Sequence, residues 1–231
     1  MRAAVNPAPT NRALIAVVGP SGSGKSSSLE GLDPTTTRII DLERKGMPWR
    51  GPKGHVRAAE TLVDYNKLMD EAIKDQSCRL IVIESFTKFC ELTKIDSQAR
   101  FKGFDIWSNY ARSIWLALHK CKNTHASVVW TAIDEIVKFP NPDGSETARR
   151  AIGVDGKEFL GKVEKEFLMV FFTSSKRSKD GKMEYFFETN TDGVTSAKTP
   201  REMFSGPIPN NLGNALKTAM EYYGRVGQVE I

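Results

Sequence analysis

A chain of 231 residues with no break in composition along it is long enough to bury a full core, and it reads as one α/β domain rather than two. A net charge of +5 with pI near 9.0 permits a polyanionic partner without requiring one. Cys78, Cys90 and Cys121 form no CxxC pair, and His55, His119 and His125 lack ligand spacing, which argues against a disulfide framework or a zinc site; MRAAVNPAPTNR has no signal-peptide core and no apolar run is long enough to span a bilayer, so the expected location is cytoplasmic.

In chain order, ALIAVV (13–18) is an apolar run that breaks at Gly19 and predicts a buried strand entering a turn. A short helix is expected from Lys25 to Leu29, stopped by Gly31 and Pro34. TRIIDLE (37–43) reads as the second strand and the Gly/Pro-rich stretch 44–55 as a loop. Helical spacing over 60–74 precedes a third buried strand, LIVIE (80–84); a long amphipathic helix over 104–120 precedes a fourth, SVVWTAI (127–133). Strands alternating with helices predict a mostly parallel central sheet flanked by helices. Residues 135–165 mix glycine, proline and cations and read as a long mobile or ligand-facing loop. FLMVFFTSS (167–175) and KMEYFFETN (182–190) read as a hairpin extending the sheet with antiparallel strands, and a helix over 215–223 closes the chain.

The chemistry is carried by GPSGSGKS, which satisfies G-x-x-x-x-G-K-[ST] between a buried strand and a helix start. The backbone of Gly19, Pro20, Ser21, Gly22, Ser23 and Gly24 would wrap a triphosphate, Lys25 would neutralise its β and γ oxygens, and Ser26, with Ser27 beside it, would offer a hydroxyl to Mg²⁺. Glu84, at the end of LIVI, is the candidate acid for the metal or its water shell. It stands where most proteins of this class carry Asp, which favours firm binding over fast hydrolysis. Glu43 is the candidate that orients the attacking water, with Asp41 the competing choice; Thr131, Asp134 and Glu135 end the fourth strand, where ligands of open parallel sheets bind.

The order GPSGSGKS, IIDLE, LIVIES and VVWTAI resembles the RecA-like ATPase core, and with the late block TNTDGVTSAKTPREMF (189–204) it is similar to phage-encoded RecA-like P-loop ATPases, the phage nucleotide-binding proteins that include single-strand annealing recombinases. The resemblance implies a flexible lead over 1–12 and a single ATPase domain over 13–231. It implies an ATP- and Mg²⁺-dependent protein that binds single-stranded DNA, assembles into a homo-oligomeric ring or filament, works in phage recombination, annealing or replication in the host cytoplasm, and meets a single-stranded-DNA-binding protein. Residue by residue it assigns Glu43 as catalytic glutamate, Glu84 as the metal-associated acid and Ser85 as the small polar residue after it. Lys198 and Arg201 lie where basic residues cross to a neighbour's phosphates. Two positions depart from the pattern: Glu84 replaces Asp, and Thr131-Ala132-Ile133 stands where RecA proteins carry an Asn-Gln pair. Arg100, Lys102, Lys138, Arg149, Arg150 and Lys157 are the candidate phosphate contacts for DNA, with Phe101, Phe104 and Phe139 able to stack on bases. The alternatives are a small-molecule or nucleoside kinase, for which Arg149 and Arg150 would form a lid, and an ATP-gated assembly protein with little hydrolysis.

Overall fold

The computed structural model describes residues 13–159 and 161–223; the lead expected over 1–12 lies outside the described residues. Strand β1 (Leu14–Val18) is buried along its whole length, with Leu14, Ala16 and Val18 facing one core and Ile15 and Val17 the other. That pattern belongs to a parallel strand covered on both sides. There follow β2 (Thr37–Asp41), β3 (His55–Ala58), α1 (Leu62–Lys74), β4 (Leu80–Glu84), α2 (Phe86–Arg100), α3 (Phe104–Lys122) and β5 (Ser127–Ala132). The second part of the chain contributes β6 (Asp134–Pro140), β7 (Glu146–Ile152), β8 (Met169–Arg177), β9 (Met183–Glu188), β10 (Ile208–Pro209) and α4 (Leu212–Tyr222).

Eight strands form one sheet in the order β10-β9-β8-β1-β5-β4-β2-β3. The six from β8 to β3 are parallel, while β9 and β10 add antiparallel strands at one edge, as the late hairpin predicted. One core lies under α1, α2 and α3 and centres on Trp130, fully buried and packed against Phe86, Phe89 and Tyr65. The opposite face is covered by α4 through Leu212, Ala215 and Leu216. Helix α1 starts with a capping box, Thr61 and Asp64 each accepting the other's backbone N–H.

Three expectations are corrected. The helix expected over Lys25–Leu29 is only a 3-10 turn at Ser27–Leu29, because the Gly31 and Pro34 stops follow too soon for a full α-helical turn to propagate. The stretch 135–165 is not one long loop: β6 and β7 pair from Asp134↔Ile152 to Pro140↔Glu146 around Asn141-Pro142-Asp143-Gly144-Ser145, where Gly144 takes φ 83 and Asn141 N–H reaches Ser145 O at 2.7 Å. Finally, the Gly/Pro-rich stretch ends in β3, a short edge strand paired to β2 from Arg38↔His55 onward. Helix α2, which the apolar pattern does not announce, buries polar Thr93 and Ser97; their hydroxyls donate to the carbonyls of Phe89 and Thr93, so the inward face is not an apolar stripe.

Asp75 ties the end of α1 to β2. It accepts from the Ser77 hydroxyl at 2.6 Å and from Arg38 Nε at 2.9 Å, and these partners hold its carboxyl down at about 2. The folded value lies below the ordinary 3.8, so this stabilisation is complete above that pH and is lost as pH falls toward 2. Urea melts of Asp75→Asn against wild type should show a stability gap at pH 6 that closes on acidification to pH 2.

Candidate nucleotide-binding site

The loop leaves β1 with Gly19 N–H bonded to Ala132 O of β5 at 3.1 Å. A Cβ on Gly19 would lie 1.8 Å from Thr173 Oγ1, so β8 presses directly on the loop and only glycine fits. The Thr173 hydroxyl also meets Ser23 Oγ at 2.6 Å, and Ser23 in turn donates to Pro20 O at 2.7 Å, so a chain of two hydroxyls fixes the loop's curvature. Gly22 and Gly24 take φ values of 76 and 93, conformations that L side chains resist. With no full helix behind it, the cradle relies on loop N–H groups more than on a helix dipole.

Lys25 is 9% exposed and its ammonium donates to Gly19 O at 2.7 Å and Pro20 O at 2.8 Å. Burial lowers its pKa, against the raising influence of Glu84, Asp134 and Glu43. Ser26 Oγ donates to Glu84 Oε1 at 2.8 Å, joining the loop to the end of β4. Because β5 lies between β1 and β4, Thr131 sits at the meeting point of these groups. Burial pushes the Glu84 carboxyl up, opposed by the Ser26 hydrogen bond. The Thr131 hydroxyl lies close enough to favour the carboxylate, yet Glu84 Oε2 and Thr131 Oγ1 are both buried without a properly formed hydrogen bond. Orphaned oxygens at this depth fit a hydrated cation: Ser26 and Glu84 would hold Mg²⁺, whose charge offsets that of the β and γ phosphates.

Glu43 projects from just beyond β2. Its Oε1 accepts from Ser85 Oγ at 2.7 Å and its Oε2 pairs with Lys45 Nζ at 2.9 Å. Burial raises its pKa, but Ser85 and Lys45 outweigh that and keep the carboxyl below the ordinary range. Asp41 uses both oxygens on the backbone N–H groups of Arg44 and Gly46, each at 2.8 Å, and so shapes the loop after β2. Of the two candidates, Glu43 is the one whose carboxylate is held by side chains in the cavity. That cavity, about 550 Å³, is lined by the phosphate loop with Glu43, Lys45, Glu84, Ser85, Ile133, Tyr185 and Asn210, a size that suits a nucleotide.

A family model described as an AAA domain matches residues 11–201. The chain belongs to the AAA domain family. No curated protein matches it. The AAA domain brings nucleotide binding and ATPase activity with it, and the observed α/β architecture is that of a P-loop NTPase core.

Several residues that shape the site escape sequence reasoning. Thr173, Tyr185 and Asn210 arrive from β8, β9 and the turn before α4, and no local pattern ties them to a loop more than a hundred residues earlier. Lys45 had a signal, a cation two residues past Glu43 in a glycine-rich turn. Of the remaining candidates whose side chains are described, none lines the cavity. Arg100 and Lys102 are exposed where α2 meets α3, Arg100 paired with Asp96 at 2.8 Å. Lys138 is exposed on β6, paired with Glu146 at 3.1 Å. Arg149 lies over the Phe139 ring, whereas Arg150 turns inward, 2.6 Å from Asp134 and over the Phe172 ring. The side chain of Lys157 lies outside the described residues. Asp134 is held by Arg150, and Glu135 accepts Val154 N–H at 3.3 Å. Lys198 is half-buried, its pKa lowered by burial against the pull of Glu164 and Glu166; Arg201 is exposed. Among the described residues no helix is long and apolar enough to cross a membrane.

The contact at Gly19 yields a test. Gly19→Ala should lose measurable ADP affinity and destabilise the fold by about 1–3 kcal/mol, the range for overpacking a tight site. Gly19→Ala with Thr173→Ala should recover part of that loss and Gly19→Ala with Thr173→Ser should not, as read by calorimetric ADP titration and thermal melts.

Proposed function

We propose that this AAA-domain ATPase uses Mg²⁺ and ATP to control binding of single-stranded DNA, as a homo-oligomer acting in phage recombination, annealing or replication. The observation that supports the DNA reading most is the tip of the α2/α3 hairpin. Lys94 lies over the Trp107 ring and, one turn nearer the start of α2, Cys90 meets Tyr110 one turn further along α3, so the two helices run antiparallel and turn at Arg100-Phe101-Lys102-Gly103-Phe104. Cations alternate there with aromatic rings, Phe104 being 81% exposed, which is the combination that tracks an unpaired strand by phosphate contact and base stacking. The hairpin is rooted at Ser85, beside Glu43. The β6/β7 hairpin leaves the neighbouring strand end and carries Lys138, Arg149 and Phe139. Arg150, which a kinase lid would need, is engaged with Asp134, so the kinase alternative has less support.

In this reading Glu43 accepts the proton of the attacking water, Lys25 offsets phosphate charge, and Glu84 with Ser26 holds the metal. Glu84 in place of Asp favours slow turnover in the absence of DNA. Lys198 and Arg201 reach a neighbouring subunit's phosphates, Arg201 being the more open of the two.

Single-stranded DNA should raise the ATPase rate, and DNA retention should fall steeply as salt rises. Arg100→Glu with Lys102→Glu should weaken retention and flatten its salt dependence while leaving ATP binding intact; unchanged retention, or no stimulation in the parent protein, would remove the DNA reading. Lys25→Ala should abolish ATP binding in a filter assay regardless of DNA.

A further inference from the structure

The loop after β2 is built to present one side chain. Asp41 holds the N–H groups of Arg44 and Gly46, which bracket Lys45, and both flanking residues take left-handed φ, 57 at Arg44 and 69 at Gly46. The resulting turn sets the Lys45 ammonium 2.9 Å from Glu43 Oε2, on the wall of the cavity that holds Lys25 and Ser26. Glu43 therefore has both oxygens engaged, one by Lys45 and one by Ser85. The two partners differ in mobility: the Lys45 side chain is 77% exposed and Glu43 21%, so the lysine can leave at little penalty while the carboxylate stays.

We propose that Lys45 is a second, cis-acting phosphate cation of the ATPase site, which holds Glu43 at rest and exchanges that carboxylate for the γ-phosphate when ATP binds. This rests on the reading of Glu43 as the group that receives the water proton. A γ-phosphoryl group carries more negative charge than one carboxylate, and a flexible ammonium with three donors follows it. The exchange does two things at once. It frees Glu43 Oε2 and places positive charge where the transferring phosphoryl group needs it. The attacking water then forms the new bond to the γ-phosphorus and gives its proton to Glu43, while the bond to the β-phosphate oxygen breaks and ADP leaves with the electron pair. ADP has no γ-phosphate, so it leaves the Lys45–Glu43 pair closed.

Lys45→Ala should lower kcat on the order of 100-fold, the size of effect seen when one aimed electrostatic group is removed, and leave ADP affinity unchanged, which also shows that the variant is folded. In a Glu43→Gln background, where bound ATP persists, adding Lys45→Ala should reduce the preference for ATP over ADP about 10-fold, and Lys45→Arg should restore most of it. Unchanged kcat and unchanged preference would reduce the pair to a solvated surface contact. A faster Lys45→Ala enzyme would make Lys45 a restraint only, and would equally overturn the proposal. If Glu43→Gln hydrolyses ATP at the wild-type rate, the role of Glu43 fails, and the ATP-over-ADP preference of the single Lys45→Ala variant then decides on Lys45 alone.

Discussion

A glutamate exposed over only 7% of its surface, with one buried carboxylate oxygen lacking a partner, is the constraint around which the catalytic end of the sheet is arranged. A buried charge without compensation is strongly unfavourable, and the surrounding architecture answers that penalty piece by piece. The strand order interposes β5 between the loop-bearing and acid-bearing strands, and Ser26 crosses that distance to donate to Glu84. Lys25 stabilises the carboxylate through its charge, although its ammonium bonds to the loop's own carbonyls. What is left uncompensated, Glu84 Oε2 with Thr131 Oγ1 beside it, is where a bound cation and its waters would complete the set of partners.

The phosphate loop and the parallel strands were legible because their signals are local. GPSGSGKS is a contiguous pattern, and β1, β4 and β5 are buried on both faces, so each reads as an unbroken apolar run. The place of Glu84 at the end of β4 was legible because it closes such a run. The elements that were not legible bury polar atoms or little at all. Helix α2 satisfies Thr93 and Ser97 against its own backbone, so its inward face carries no clean apolar period. Strand β3 is largely exposed at the sheet edge, and β6/β7 buries only Val137, Ala151 and Ile152 among its side chains, too few to stand out among glycine, proline and charge. Arg149 and Arg150 illustrate the limit for side chains: adjacent in sequence and alike in chemistry, they face different partners because strand residues alternate sides.

The site also gathers from far along the chain. The antiparallel extension looks peripheral in topology, yet β8 supplies the Thr173 hydroxyl that grips the loop, and β9 with the turn before α4 brings Tyr185 and Asn210 against Gly24. The late block is used in a similar way. Asp192 turns its own backbone through Val194 and Thr195 N–H, and from there the chain bridges to Arg150 on one side and Val170 on the other, locking the β6/β7 hairpin to the main sheet. These segments are distant in sequence, yet Thr173, Tyr185 and Asn210 all pack against the phosphate loop.

One hydroxyl has a part in two of these arrangements. Ser85 Oγ accepts the Lys88 N–H that begins α2 and donates its single proton to Glu43. A hydroxyl has one proton to give, so the first turn of a 15-residue helix and the carboxylate at the end of β2 are oriented by the same atom. Such a helix is about 22 Å long. A rotation of a few degrees at Ser85 is therefore magnified into a displacement of more than an ångström at Arg100, with the rigid rod itself acting as the amplifier.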